Sequence, residues 1–172
     1  AGKGGRYYMI GEKVEAIVEK IILENPKSSI LLLGRYGFDA FHLSHSGKFV
    51  YNEKTGGVTS TKFPNVALDF MTVHRAKGLG YDNVIIINAR NEVYGFPSQV
   101  QDDPVLKYVV RDDHSIEYAE ERRLFYVALT RTKNRVYLIV PKERPSSFVL
   151  ELIDDYLPVV LHGDIDKNEN KD

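Results

Sequence analysis

The sequence predicts one α/β domain of three layers, a mainly parallel sheet with helices on both faces. Three observations point there. Two segments of helical period, residues 12–24 and 117–132, stand apart from short, continuously apolar runs of the kind that form strands buried on both faces. Helical segments and buried runs alternate along the chain, and strands joined by crossovers lie parallel. The 172 residues are 43% hydrophobic and 27% charged, which is the size and balance of one globular domain.

Each element follows from local pattern. Residues 1–11 are expected to be an N-terminal segment or linker, and residues 12–157 the domain proper. In EKVEAIVEKIILE (12–24), Val14, Ile17, Val18, Ile21 and Ile22 fall on one helical face, with Glu and Lys opposite. Asn25-Pro26 ends that helix, because the residue before a proline is pushed out of helical geometry. Ser29–Leu33 then reads as a buried strand, Asp39–His45 as a short helix and Phe49–Tyr51 as a short edge strand. Val66–Val73 and Asn83–Asn88 are the next two strands, with His74–Leu79 a turn or short helix between them. Residues 89–115, rich in Asn, Pro, Asp and Gly, are long for a plain connection, and such segments are functional or mobile. The helix of 117–132 carries Leu124, Phe125, Val127 and Ala128 on its apolar side. A strand over Arg135–Val140 and an amphipathic helix from Pro145 to about Tyr156 close the domain, and the polar residues 158–172 are expected to be disordered.

Composition narrows the chemistry. No run approaches the roughly 18 apolar residues of a membrane span, and AGKGGRYY has no apolar signal core, so a cytoplasmic protein without membrane contact is expected. Without cysteine there is no disulfide framework and no thiolate ligand or nucleophile. Twenty-three Lys+Arg against 24 Asp+Glu give a net charge of −1, so any grip on nucleic acid must come from local placement of cations. His42 and His45 have no partners at a metal-binding spacing, and no metal site is expected. The stretch GGRYYMIGEK lacks the GK[ST] ending of a phosphate-binding loop, so the chain does not cradle a nucleoside triphosphate by itself.

Candidate functional residues cluster next to strand ends. Arg35 follows the first strand, Thr72, His74 and Lys77 follow the second, and Arg131 ends the helix that leads into the last. An arginine keeps its charge and offers a planar fork of donors suited to phosphate, and Gly78 lets the backbone approach a ligand closely. Glu120-Glu121-Arg122-Arg123 reads as the wet face of its helix.

These residues belong to longer motifs. Met71–Leu79 (MTVHRAKGL) resembles motif V of the UvrD/Rep family of superfamily 1 DNA helicases, and Ala119–Arg131 (AEERRLFYVALTR) resembles its motif VI, in the family's order. Leu31–Tyr36 (LLLGRY) resembles motif IV, and Gly95–Ser98 (GFPS) the loop that follows motif V. The short connection between Arg35 and Thr72 is most similar to the helicase IV branch. The resemblance implies the C-terminal RecA-like domain of an ATP-dependent 3′–5′ DNA helicase. ATP with Mg²⁺ would lie between it and an N-terminal RecA-like domain of the same parent chain, which brings the phosphate-binding loop and the Mg²⁺ ligands. The 172 residues alone are then expected to be inactive.

Residue by residue, the resemblance implies Arg131 and Arg35 as arginines reaching the γ-phosphate, with Gly78 beside the nucleotide. Thr72, His74, Arg75 and Lys77 would contact single-stranded or partly duplex DNA. The sequence departs from the family at two positions: Gly80 stands where motif V usually continues with Glu, and Gly34 where many members carry an aromatic residue. Two other readings stay open, an ATPase-dead DNA-binding or regulatory module derived from a helicase, and the helicase part of a helicase-nuclease.

Overall fold

The computed structural model describes residues 4–76, 80–100 and 118–155. Its elements in chain order are α1 (Gly4–Glu24), β1 (Ile30–Gly34), a 3-10 helix (Gly37–Ala40), α2 (Phe41–Ser44), β2 (Phe49–Tyr51), β3 (Gly57–Ser60), β4 (Leu68–Thr72), β5 (Tyr81–Ile86), α3 (Ala119–Leu129), β6 (Thr132–Leu138) and α4 (Ser147–Asp155). All six strands form one sheet in the order β2-β3-β4-β1-β5-β6. β1 runs parallel to β4 and β5, and β5 parallel to β6, whereas β2 and β3 add an antiparallel extension at one side.

Strand parity builds the three layers. Ile30 and Leu32 of β1, Leu68 and Phe70 of β4 and Ile85 of β5 point to one face, where Ile10, Val14, Val18 and Ile21 of α1 and Leu43 of α2 cover them. Leu31 and Leu33 of β1 and Val84 and Ile86 of β5 point to the other face and meet Leu124, Phe125 and Ala128 of α3 and Phe148 and Val149 of α4. All four central β1 residues, Ile30 to Leu33, are at most 1% exposed, which is why that strand reads as an unbroken apolar run.

Three features depart most from the sequence expectation. α1 begins at Gly4, so residues 4–11 are helical and not a linker. Ile10 extends the apolar face one turn upstream of Val14, and Gly11 lies so close to the turn after α2 that a Cβ there would sit 2.0 Å from Ser46 Oγ. β3 went unread because it has only four residues, of which Val58 alone is both apolar and buried; backbone pairing to β2 and β4 makes it a strand. β6 starts at Thr132, three residues early, since Thr132–Arg135 are partly or fully exposed and joined to β5 by the backbone, without an apolar signal. The polar tail 158–172 and residues 101–117 of the long connection lie outside the described residues. Among those described, no helix is long and apolar enough to cross a membrane.

At the amino ends of the strands, Ser29 and Asp82 clamp β1 to β5. The Ser29 N–H and hydroxyl donate to Asp82 Oδ2 at 2.9 and 3.2 Å, and the Asp82 N–H donates back to Ser29 Oγ at 2.9 Å. The Ser29 backbone hydrogen bond holds the Asp82 carboxyl below its ordinary pKa of 3.8. A carboxyl with a depressed folded-state pKa adds stability that is present above the unfolded-state value and is lost as pH falls through the folded one. Asp82→Ala is therefore expected to melt below the parent protein near neutrality and to converge with it in acid. A constant gap in melting temperature across that range would refute the assignment.

Candidate functional site

The carboxyl edge of the sheet is built where β1 and β4 end side by side. Gly34 pairs with Thr72, and the Val73 N–H donates to the Gly34 carbonyl at 3.1 Å. Beyond Thr72 the chain turns, with the Arg75 and Ala76 N–H groups donating to the Thr72 carbonyl at 3.1 and 3.2 Å. Val73 and Ala76, both 0% exposed, sink into the core on the α3 side, so the residues between them, His74 and Arg75, face solvent. Two buried anchors thus present two polar side chains on a short turn.

Arg35 lies at this same edge. Its odd parity continues that of Leu31 and Leu33 toward α3, where Glu121 receives it: Arg35 Nε donates to both carboxylate oxygens at 3.0 Å, and Nη2 to Oε1 at 2.6 Å. The Ser98 N–H also donates to Glu121 Oε2, at 2.9 Å. Burial opposes the charge on Arg35, but the hydrogen bond and negative charge of Glu121 outweigh it and raise the arginine above its ordinary pKa. The pair is partly buried, with side-chain exposures of 15% and 11%. Much of the Arg35 fork is therefore committed inside the domain.

Gly34 is equally committed to packing. A Cβ there would come within 2.8 Å of Asp39 Cβ and 2.9 Å of Phe70 Cζ, so the position of the expected aromatic is closed by the domain's own side chains. Asp39, 1% exposed, accepts the Tyr36 N–H at 3.0 Å and so fixes the turn that leads out of β1.

Arg131 lies at the opposite edge. It immediately precedes β6, and its carbonyl accepts the N–H of Tyr81, the first residue of β5, at 3.2 Å. Arg35 follows its strand, level with Asn88 by the register of β1 on β5, whereas Arg131 is level with Gly80; at about 3.3 Å per residue the two arginines are roughly 25 Å apart along the sheet. The structure does not bring the two expected phosphate-contacting arginines together: in a parallel sheet, a residue before a strand and one after a strand belong to different edges. The Arg131 guanidinium is partly exposed, and its Nε donates to the Val127 carbonyl at 3.3 Å near the end of α3. Its terminal nitrogens make no hydrogen bond among the described residues, which suits them to a phosphate. Gly80 is at this edge too, where an added Cβ would meet the flexible Lys133 Cε at 3.2 Å. Lys77 and Gly78 lie outside the described residues.

Residues 52–143, a span holding β3 to β6 with His74, Arg75, Glu121 and Arg131, match the family of UvrD-like helicase C-terminal domains. The chain belongs to that family. This UvrD-like domain is similar to DNA helicase IV of Escherichia coli strain K12, at 34% identity over 148 residues that take in 86% of this chain and 20% of that protein. It is also similar to DNA helicase II of Rickettsia typhi, at 29% identity over 154 residues, 84% of this chain and 21% of that one. With an ATP-dependent DNA helicase PcrA of Staphylococcus epidermidis it shares 31% identity over 97 residues, 51% of this chain and 12% of the other. The chain spans about a fifth of the length of the first two.

The UvrD-like domain also uses residues that the sequence reading passed over. Glu121 is 8% exposed although it sits in a charge run, and its spacing gives the signal: it lies three and four residues before Leu124 and Phe125, on the face that packs on the sheet. Ser98 reaches Glu121 because Phe96, 0% exposed, anchors its loop against Phe125 and Phe148 at centroid distances of 5.2 and 6.3 Å. The loop resembling the segment after motif V is therefore a packed bridge from β5 to α3.

Proposed function

We propose that this UvrD-like domain is the second motor domain of an ATP-dependent DNA helicase that moves 3′ to 5′ along a single strand. What supports the reading is the separation of its candidate residues: Thr72, His74 and Arg75 at one sheet edge, and Arg131 at the other beside Gly80, with the crossover from β4 to β5 joining the edges. In this reading Thr72, His74, Arg75 and Lys77 hold the DNA backbone. Arg131 directs its guanidinium at the nucleotide held by an N-terminal RecA-like domain, with Gly78 on the intervening crossover near the same nucleotide. ATP bound with Mg²⁺ supplies the phosphoryl group whose transfer drives the cycle. Arg35, tied to Glu121 at the other edge, is left out of the nucleotide role. A single crossover that touches DNA at its start and nucleotide near its end couples the two events mechanically.

Binding of labelled oligo(dT) to the chain, followed against salt, tests the DNA half of this reading. Weak binding is expected, with affinity falling as salt rises. Replacing two phosphate-contacting cations in Arg75→Ala/Lys77→Ala should weaken binding and flatten the slope of log K against log salt by about 1.4. Arg131→Ala should bind like the parent. An Arg75→Ala/Lys77→Ala variant with unchanged affinity and slope would remove the DNA assignment.

A further inference from the structure

The amino edge of the sheet holds a cavity of about 280 Å³ to which the reading above gives no role. Glu24, Asn25 and Ser28 line it from the end of α1 and the turn that follows, and Asp82, Asn83 and Asn134 from the first residues of β5 and β6. A bulge shapes it. Tyr81 pairs with Thr132 and Asn83 with Arg135, so two residues of β6, Lys133 and Asn134, stand opposite Asp82 alone. Asn134 Nδ2 donates to Asn83 Oδ1 at 3.1 Å, which fixes both amides, and Asn83 is only 1% exposed.

Three sources of negative potential meet here. Asp82 is tied to Ser29 through Oδ2; its Oδ1 takes no hydrogen bond among the described residues, and the nearby Lys133 acts on it through charge alone. Glu24 accepts from Arg135 Nη1 at 3.2 and 3.4 Å, in a pair about half exposed on both sides. The third source is the end of α1. Pro26 has no N–H, the Lys27 N–H goes to Asn25 Oδ1 and the Ser28 N–H to the Asn25 carbonyl, so none of them caps the carbonyls of Ile22, Leu23 and Glu24. The last turn of α1 carries no basic residue, which leaves the negative end of the helix uncompensated from within.

These features select a compact cation with several donors. A guanidinium offers five N–H groups in a planar fork and is more weakly hydrated than an ammonium, so it matches carboxylate and amide oxygens spread around one small space. The volume lies below the roughly 300–1,000 Å³ of pockets that enclose a drug-sized ligand, and suits a single side chain. Ile21, 2% exposed, also lines the cavity and offers an apolar contact to an aliphatic stem. We propose that this cavity is a docking socket for one arginine side chain of a partner protein. The socket does not depend on the DNA and nucleotide roles proposed above. Arg135 at the rim shares Glu24 with the incoming arginine and competes with it.

The probe is N-acetyl-arginine amide, with N-acetyl-citrulline amide as its uncharged counterpart, titrated into the isotope-labelled chain while the side-chain amide signals of Asn83 and Asn134 are followed by NMR. Saturable shifts are expected with the arginine probe and none with citrulline. Glu24→Gln should weaken binding by about threefold, the scale of one exposed ion pair, and Arg135→Ala should tighten it by a similar factor. Both variants should melt with the parent, because Glu24 and Arg135 are half exposed. Methylguanidine, which has the fork without the stem, should bind more weakly than the arginine probe. Shifts equal for arginine and citrulline, no shift with either, unchanged affinity in Glu24→Gln, or no gain in Arg135→Ala would overturn the socket. Methylguanidine binding as tightly as the arginine probe would assign the cavity to a free guanidinium compound and overturn the partner side chain.

Discussion

Arg131→Ala, made in an intact helicase built on this domain, is expected to lower kcat for DNA-stimulated ATP hydrolysis by about 10³-fold while changing ATP affinity much less. Phosphoryl transfer spreads negative charge over the equatorial oxygens, so a guanidinium fixed nearby stabilises the transition state by about 4 kcal/mol more than it stabilises bound nucleotide. The observed geometry of the side chain supports this expectation. Its Nε is anchored on the Val127 carbonyl, and its terminal nitrogens, the two prongs that suit a phosphate, are uncommitted among the described residues. Arg131→Lys should not restore the rate, since a point charge on a flexible stem cannot reproduce a planar fork. If Arg131 did no more than cap α3, losing the Val127 hydrogen bond would cost about 1 kcal/mol of stability and leave kcat nearly intact. Measuring kcat, ATP affinity and melting temperature on the same variants separates the two roles, and a near-normal kcat in Arg131→Ala would remove Arg131 from the reaction.

Glu121→Ala should be the more damaging change to the fold. It strands the partly buried Arg35 guanidinium without its carboxylate and takes the acceptor from the Ser98 N–H, at an expected cost of about 3 kcal/mol, or a fall in melting temperature of roughly 10 °C. Most of that cost would come from an uncompensated charge and not from lost attraction, which gives a second expectation. Replacing both partners by apolar residues, Arg35→Met with Glu121→Leu, should recover a large part of the loss in melting temperature. A Glu121→Ala variant that melts within a degree or two of the parent would mean that water already satisfies this pair. The same variants bear on the edge itself, because Glu121 supports both Arg35, which lies against the Tyr36 ring, and Ser98, which hydrogen-bonds the Tyr36 hydroxyl.

Short-range patterns carried most of the architecture. The helical period of residues 12–24, the apolar run of Ile30–Leu33 and the amphipathic face around Leu124 each encode an element, because burial on one face or on two imposes its own spacing on the chain. The motifs around His74 and Arg131 were legible for the same reason: each is one continuous segment. Elements held by backbone pairing left little trace, as with the four-residue β3 and the exposed start of β6. The membership of Glu121 in the packed face was available in its spacing but masked by its charge, and only the approach of Arg35 across 86 residues of sequence shows what neutralises it.

Alternation, parity and the motif segments were thus set by the sequence alone, since each depends on neighbours within a few residues. Which edge a functional side chain occupies was decided only by the tertiary structure. Arg35 and Arg131 both flank strands and look equivalent along the chain; strand order and direction put them at opposite edges, because one follows its strand and the other precedes it in a parallel array. The group of aromatic rings beside Arg35 is of the same kind. Tyr36 and Phe38 come from one turn and Tyr94 from another, and they meet only because β1 and β5 are paired side by side and deliver their following segments to the same edge.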